Sequence, residues 1–95
     1  MEITATEIEG CFRLDPVEIR DERGFFARSF CPHELRDAGL PYPFEVCQTN
    51  ISFNEKRGTL RGMHWQAAPT PDPKVVRAVR GGLYDVVVDI RPTSP

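Results

Sequence analysis

The sequence lacks the features that mark secreted, membrane and nucleic-acid-binding proteins. Its 95 residues contain three cysteines, an odd number without Cys-x-x-Cys spacing, which favours a reduced intracellular protein over a disulfide scaffold. The first residues carry no basic segment followed by an apolar one, and no apolar run approaches membrane-spanning length. Twelve Lys and Arg against 14 Asp and Glu give a net charge of -2. We therefore expect a cytoplasmic protein that binds neither nucleic acid nor membrane.

Several classes of enzyme site are also missing. The two histidines, His33 and His64, lie about 30 residues apart, and the cysteines lack zinc spacing, so no metal site is expected. The chain has no Walker motif, no Gly-x-Gly-x-x-Gly and no Gly-x-Ser-x-Gly. Nucleoside triphosphatases, dinucleotide-dependent enzymes and serine hydrolases are thereby disfavoured.

Proline, by contrast, is abundant, and it sets the fold class. Nine prolines and seven glycines interrupt the chain too often for long helices and favour short strands joined by turns. We therefore predict a single, mainly antiparallel all-β unit, a sandwich or barrel, with a small α+β domain as the alternative. The predicted strands cover Ile3 to Ile8, Phe12 to Ile19 (kinked at Pro16), Phe25 to Phe30, Phe44 to Asn54, Leu60 to Gln66, Lys74 to Arg80 and Leu83 to Arg91.

The turns and the single helix have explicit signals. Asp21 to Gly24 is typical of a turn, and Gly81-Gly82 indicates a hairpin between the last two strands. A short helix from Pro32 to Ala38 is predicted, because proline suits the first helical position and Gly39 the position past the end.

Few side chains suggest chemistry on their own. His64 lies in a predicted strand beside Trp65 and Gln66. It is interpreted either as a hydrogen-bonded core histidine or as a functional one. His33 is interpreted as a solvated helix residue. Lys74, which opens a strand, is either a surface lysine or a functional one.

The strand from Phe44 has a polar face. Alternation places Gln48 and Asn50 on the same side, where they would face either solvent or a ligand inside a barrel. Arg61 alternates out of phase with His64, so a shared site needs a local irregularity such as a bulge at Gly62.

Five segments together resemble the dTDP-4-dehydrorhamnose 3,5-epimerase family, in order and at compatible spacing. They are Asp21-Glu22-Arg23-Gly24-Phe25-Phe26, Gln48-Thr49-Asn50, Gly58-Thr59-Leu60-Arg61-Gly62-Met63-His64-Trp65-Gln66, Lys74-Val75-Val76-Arg77-Ala78-Val79-Arg80-Gly81 and Asp85-Val86-Val87-Val88-Asp89-Ile90-Arg91. They correspond to about the N-terminal half of a family member, so residues 1–95 are expected to form the N-terminal portion of one domain.

The resemblance implies a cupin-like jelly roll, here incomplete, that forms a homodimer. It implies epimerisation of a nucleotide-diphospho-4-keto-6-deoxy sugar in rhamnose biosynthesis, without metal or organic cofactor. By family position, His64 is the catalytic base and Lys74 helps to hold the enolate oxygen. The substrate-binding residues implied are Arg23 and Phe26 for the nucleotide, with Gln48, Asn50 and Arg61.

Two departures from the family pattern leave alternatives open. Arg28 stands where family members commonly carry a ligand-facing glutamate. The acid tyrosine and the aspartate that orients the histidine belong to the family's second half, and neither Tyr42 nor Tyr84 matches that tyrosine. A non-catalytic nucleotide-sugar binding module and a truncated, inactive family member are therefore the alternatives to an epimerase.

Overall fold

Within the described residues, all strands and the helix lie in the first 37 residues of the chain. A computed structural model describes residues 1–40 and 45–95. It contains four short strands, which form two antiparallel two-stranded sheets, followed by one helix. The elements are β1 (Glu2–Ala5), β2 (Phe12–Asp15), β3 (Ile19–Asp21), β4 (Gly24–Phe26) and α1 (Pro32–Asp37). Antiparallel pairing with a single short helix confirms the coarse fold prediction for these residues.

The first sheet is a hairpin that is closed by its own turn. β1 pairs with β2 in the register Ile3 to Leu14 and Ala5 to Phe12. The hydroxyl of Thr6 donates to the carbonyl of Cys11 (3.0 Å), and Thr6 N–H reaches the same oxygen at 3.0 Å. A threonine side chain that bonds nearby backbone in this way fixes a turn locally.

The second sheet begins after a break at Pro16. The predicted strand from Phe12 to Ile19, kinked at Pro16, is wrong in its extent, because β2 ends at Asp15 and β3 starts only at Ile19. Proline has no N–H to donate to a ladder. β3 and β4 pair with Asp21 opposite Gly24, which leaves a two-residue turn. Gly24 adopts φ 133, a backbone conformation that side chains with a Cβ rarely take. The predicted turn is confirmed, although β4 ends at Phe26 rather than at Phe30.

Helix α1 starts and stops where its proline and glycine predict. Pro32 follows the N-cap residue Cys31, and Gly39 adopts φ 79 and donates its N–H to the carbonyl of Arg36 at 2.9 Å. Leu35 is 1% exposed and is the buried hydrophobic residue of the described chain. The buried hydrophobic side chain therefore belongs to the short helix.

The prediction of strands beyond Phe44 is wrong for the described residues. Residues 45–95 contain no strand or helix, and their one backbone–backbone hydrogen bond joins Ser94 N–H to the carbonyl of Arg91 at 3.0 Å. The Gly81-Gly82 hairpin is absent there as well, although the chain bends at that point. A strand exists only when a neighbour supplies ladder hydrogen bonds, and here no neighbour does so. Phe44 itself lies outside the described residues, as does Tyr42.

The molecule is less compact than a typical folded chain of its length. Its radius of gyration is 15.5 Å, whereas a compact chain of this length has a radius of gyration of about 12 Å. No helix within the described residues is long and apolar enough to span a membrane.

Candidate functional site

The β3–β4 hairpin carries the two residues predicted to bind the nucleotide. Arg23 occupies the turn, and Phe26 lies at the end of β4, opposite Ile19. Phe26 is 72% exposed, so its ring is free to stack on a planar ligand. Arg20 and Phe25 pair on the other side of the ladder, with the guanidinium carbon 5.3 Å from the ring centroid. The hairpin therefore presents an accessible aromatic face close to a cation.

The guanidinium of Arg23 is already occupied by a carboxylate. Arg23 donates from its backbone N–H to Asp21 Oδ1 at 2.9 Å and from Nε to Oδ2 at 3.1 Å. The side-chain hydrogen bond from Arg23 lowers the pKa of Asp21, with a further contribution from the backbone N–H. A diphosphate that binds Arg23 would have to compete with Asp21.

The two amides predicted to contact the ligand lie on an open stretch. Gln48 and Asn50 are both exposed and belong to no strand. Arg61, also predicted to bind the ligand, donates to Asn54 Oδ1 at 3.3 Å. The nearby turn is fixed by Thr59, whose hydroxyl donates to the carbonyl of Lys56 at 2.7 Å. These residues are therefore accessible to a ligand but are not fixed in position by paired backbone.

His64 is exposed and lies close against its own backbone. A Cβ built on Gly62 would lie 3.5 Å from His64 Nδ1, so the imidazole folds back towards Gly62. Gln66 Nε2 donates to the carbonyl of Thr70 at 2.6 Å and closes the loop that leads to Lys74. Lys74 forms an ion pair with Asp72.

The structure does not bring the predicted site residues together. Across residues 1–40 and 45–95, no hydrogen bond or ion pair joins any two of the seven, which are Arg23, Phe26, Gln48, Asn50, Arg61, His64 and Lys74. Nor do the described residues hold a cluster of three or more His, Cys, Asp or Glu that could bind a metal. The catalytic and binding roles of these seven residues therefore stay predictions.

The structure shows a recurring acid–base spacing that was not predicted from the sequence. Five ion pairs join residues two positions apart, as expected where alternate side chains of an extended chain point the same way. They are Arg13–Asp15, Arg20–Glu18, Arg23–Asp21, Lys74–Asp72 and Arg91–Asp89. The signal is legible in the sequence as an acid and a base separated by one residue. Two of the predicted site residues, the substrate-binding Arg23 and the catalytic Lys74, are paired with a carboxylate in this way.

Arg28, the residue that departs from the family pattern, is paired with the helix. Its guanidinium donates to Glu34 Oε1 at 2.7 Å. Glu34 Oε2 lies 3.6 Å from the amino group of Met1. The hydrogen bond from Arg28 is the main cause that lowers the pKa of Glu34. In this structure Arg28 therefore ties the chain after β4 to α1.

A second contact links the two ends of the described chain. Arg91 donates to the carbonyl of Glu9 at 3.0 Å and to both carboxylate oxygens of Asp89, at 2.8 and 2.7 Å. The Asp89 side chain is only 14% exposed, and the hydrogen bonds from Arg91 hold its pKa far below its ordinary value. A cleft of about 480 Å³ lies between the β1–β2 turn and residues 87–95, and none of the predicted site residues lines it.

Comparison with known proteins assigns the chain to a family. The family model described as dTDP-4-dehydrorhamnose 3,5-epimerase matches residues 5–95. The chain belongs to the dTDP-4-dehydrorhamnose 3,5-epimerase family, and the resemblance seen in its motifs is confirmed. No solved structure matches the chain.

Individual relatives agree with that assignment and show how much of the family protein is present. The chain is 40% identical to a dTDP-4-dehydrorhamnose 3,5-epimerase of Escherichia coli strain K12, over 99% of this chain and 50% of the relative. The dTDP-4-dehydrorhamnose 3,5-epimerase of Mycolicibacterium smegmatis is also 40% identical, over 98% of this chain and 46% of the relative. A dTDP-4-dehydrorhamnose 3-epimerase of Streptomyces niveus is 35% identical, over 100% of this chain and 45% of the relative. The chain thus spans about half the length of the curated relatives it matches.

Proposed function

We propose that the chain supplies the proton-abstracting part of an epimerase that acts on a nucleotide-diphospho-4-keto-6-deoxy sugar, as the names of its relatives suggest. The observation that carries the proposal is the family match over residues 5–95, which includes the segment around His64. The substrate proposed is the dTDP-linked 4-keto sugar of rhamnose biosynthesis. Relatives named as 3,5-epimerases and as a 3-epimerase both match, so one or two inverted centres are compatible with the chain.

The chemistry assigns His64 as the base. Inversion next to a ketone begins when a base removes the proton from the neighbouring carbon. The neutral imidazole of His64 accepts that proton and becomes imidazolium. The electron pair of the C–H bond forms the carbon–carbon double bond of an enolate, and the carbonyl electrons move to oxygen. A proton delivered to the opposite face restores the ketone with inverted configuration, and the imidazolium then returns its proton to solvent.

Lys74 and Arg61 are the cations proposed to hold the enolate oxygen. A positive charge beside the developing oxyanion stabilises it more than it stabilises the neutral ketone, and so lowers the barrier. Lys74 is paired with Asp72 in the free chain. Its ammonium group would therefore exchange one anionic partner for another when the enolate forms.

The nucleotide is assigned to the β3–β4 hairpin. Arg23 would pair with the diphosphate, and Phe26, with its exposed ring, would stack on the base. Gln48 and Asn50 would supply the neutral hydrogen bonds.

The complete fold proposed for this family member is a cupin-like jelly roll that forms a homodimer in the cytoplasm. The described antiparallel hairpins are compatible with such a fold. No metal or organic cofactor is required, because the base, the cations and a proton donor suffice for the chemistry above.

Deuterium exchange tests the proposed role of His64. Exchange of the proton next to the ketone needs a base and an oxyanion stabiliser, but it does not need the proton donor on the opposite face. The chain contains the residues proposed for the two roles that the exchange reaction requires. Incubating the 95-residue chain with the dTDP-4-keto-6-deoxy sugar in D2O should replace that proton, as followed by NMR. The variant His64→Ala should lose the exchange, and His33→Ala, which removes an exposed histidine outside the proposed site, should retain it. Equal exchange with wild type and His64→Ala would overturn the assignment.

Nucleotide-sugar binding without turnover is the second candidate. The hairpin that carries Arg23 and Phe26 is formed in the structure, whereas the segment with His64 and Lys74 has no paired backbone. Saturable calorimetric binding of the nucleotide sugar together with absent exchange would favour this candidate.

A further inference from the structure

A stiff loop joins the proposed base to the proposed cation. The stretch between His64 and Lys74 includes residues 67–73, the proline loop. Prolines stand at positions 69, 71 and 73, so each of residues 68–73 is either a proline or the residue before one. Proline fixes its own φ at about −65° and biases the preceding residue towards extended backbone. The proline loop therefore has few conformations available to it, although it contains no strand or helix.

A side-chain clamp closes the first half of the proline loop. The amide of Gln66 donates from Nε2 to the carbonyl of Thr70 at 2.6 Å, and the same nitrogen lies 3.4 Å from the Thr70 hydroxyl oxygen. At the other end, Lys74 forms an ion pair with Asp72 across Pro73. Both ends of the loop are thus tied to nearby residues of the same segment. Because the chain between these ties is stiff, the clamp fixes the direction in which the loop leaves Gln66.

The separation of the two loop ends matters for the proposed reaction. The imidazole of His64 has to reach a C–H bond while the ammonium group of Lys74 reaches the oxygen of the neighbouring carbonyl. Both groups act on one small substrate at the same time, and a misplacement of about 1 Å can cost about a hundredfold in rate. Within the described residues 45–95 no strand supplies that precision. The clamp and the prolines are local features that can supply it.

We propose that Gln66 is a positioning residue, which locks the proline loop and thereby sets the distance between His64 and Lys74. The inference rests on the proposed function, because it takes the imidazole as the base and the ammonium group as the cation. Gln66 acts through the loop rather than on the substrate, since its amide nitrogen is bonded to Thr70.

Backbone order parameters, measured by NMR relaxation, test the clamp without substrate. Gln66→Glu keeps the size of the side chain, but an ionised carboxylate only accepts hydrogen bonds and cannot donate to the Thr70 carbonyl. Rigid backbone has an order parameter of about 0.85, and flexible backbone has one below about 0.6. The amides of Ala67, Ala68 and Thr70 should lie near the first value in wild type and below the second in Gln66→Glu. Equal order parameters in the two chains, or a loop that is already flexible in wild type, would overturn the proposal.

The kinetics of deuterium exchange test the positioning role. With the dTDP-4-keto-6-deoxy sugar in D2O, Gln66→Glu should lower the maximal exchange rate by about tenfold to a hundredfold. The sugar concentration that gives half the maximal rate should stay unchanged, because the nucleotide is assigned to Arg23 and Phe26 on another element. Thr70→Val removes the hydroxyl but keeps the carbonyl that Gln66 binds, so it should match wild type in rate and in order parameters.

The outcomes separate this inference from the proposed function. Exchange at the wild-type rate by a Gln66→Glu chain with a flexible loop would refute the positioning role and leave the proposed function standing. An equal loss of rate in Thr70→Val would also contradict the role, because the clamp to the carbonyl is then intact. A wild-type chain without exchange would refute the proposed function, and with it the catalytic purpose of the clamp, even if the order parameters show that Gln66 locks the loop.

Discussion

Truncation of Leu35 to alanine should unfold the helix end of the molecule. Leu35 is 1% exposed and is the buried hydrophobic residue in the described part of the chain. Its N–H donates to the carbonyl of Cys31 at 3.1 Å, and its carbonyl accepts from Leu40 N–H at 3.2 Å. Buried Leu to Ala changes cost about 2–5 kcal/mol through lost transfer energy and the cavity left behind. Since a two-turn helix has little stability of its own, most of that cost should appear as opening of α1.

Amide hydrogen exchange measures that loss directly. A loss of 2 kcal/mol corresponds to about a thirtyfold drop in protection, which should be seen at the amides of Leu35, Ala38 and Gly39. Leu60→Ala is the matched control, because it deletes the same atoms from a side chain that is 93% exposed. It should leave protection in the free chain unchanged. If both variants reduced protection equally, Leu35 would not be the core of this part of the molecule.

Three further predictions concern charged groups. Replacing Arg28 by Glu should loosen α1 by less than the Leu35 change and in a salt-dependent way. Adding Glu34→Arg should restore only part of the helix protection, because the pair with position 28 is reversed while the new guanidinium lies beside the amino group of Met1. The pKa of Asp89 is lowered by folding, so the carboxylate should stabilise the contact between the chain ends fully above about pH 4. This stabilisation should be lost as the pH falls below that value. Asp89→Asn should abolish the pH dependence in NMR titrations. Asp21→Asn should tighten binding of dTDP in calorimetry, because Arg23 no longer has a competing carboxylate; weaker binding would show that Asp21 supports the site instead.

Local signals in the sequence predicted local structure well. Pro32 and Gly39 marked the ends of α1. At Pro16 the sequence indicated a disturbed strand, although a kink was predicted and the structure has a break between β2 and β3. The turn before Gly24 was legible because a short polar run, Asp21 to Arg23, ends at a glycine, and Gly24 adopts φ 133 directly after the turn. Each of these features depends on hydrogen bonds between residues close in sequence, so the sequence carries enough information to predict them.

The later strands could not be predicted in the same way. Val75, Val76 and Val86 to Val88 have the composition of strands, but their structure depends on a distant partner. The same holds for the candidate site: motif order identified His64 and Lys74 as family positions, whereas the structure leaves them apart. The pairing of Arg28 with Glu34 was missed because the two residues lie six positions apart across the start of α1, a spacing for which the sequence offers no rule.

The rate of deuterium exchange next to the ketone tests the central claim most directly. If His64 is the base, the wild-type chain should exchange that proton of the dTDP-4-keto-6-deoxy sugar in D2O faster than buffer alone does, because a base within the site removes it. The His64→Ala chain should fall to the rate of buffer, while His33→Ala should keep the rate of wild type. Exchange by the His64→Ala chain at the wild-type rate would contradict the account.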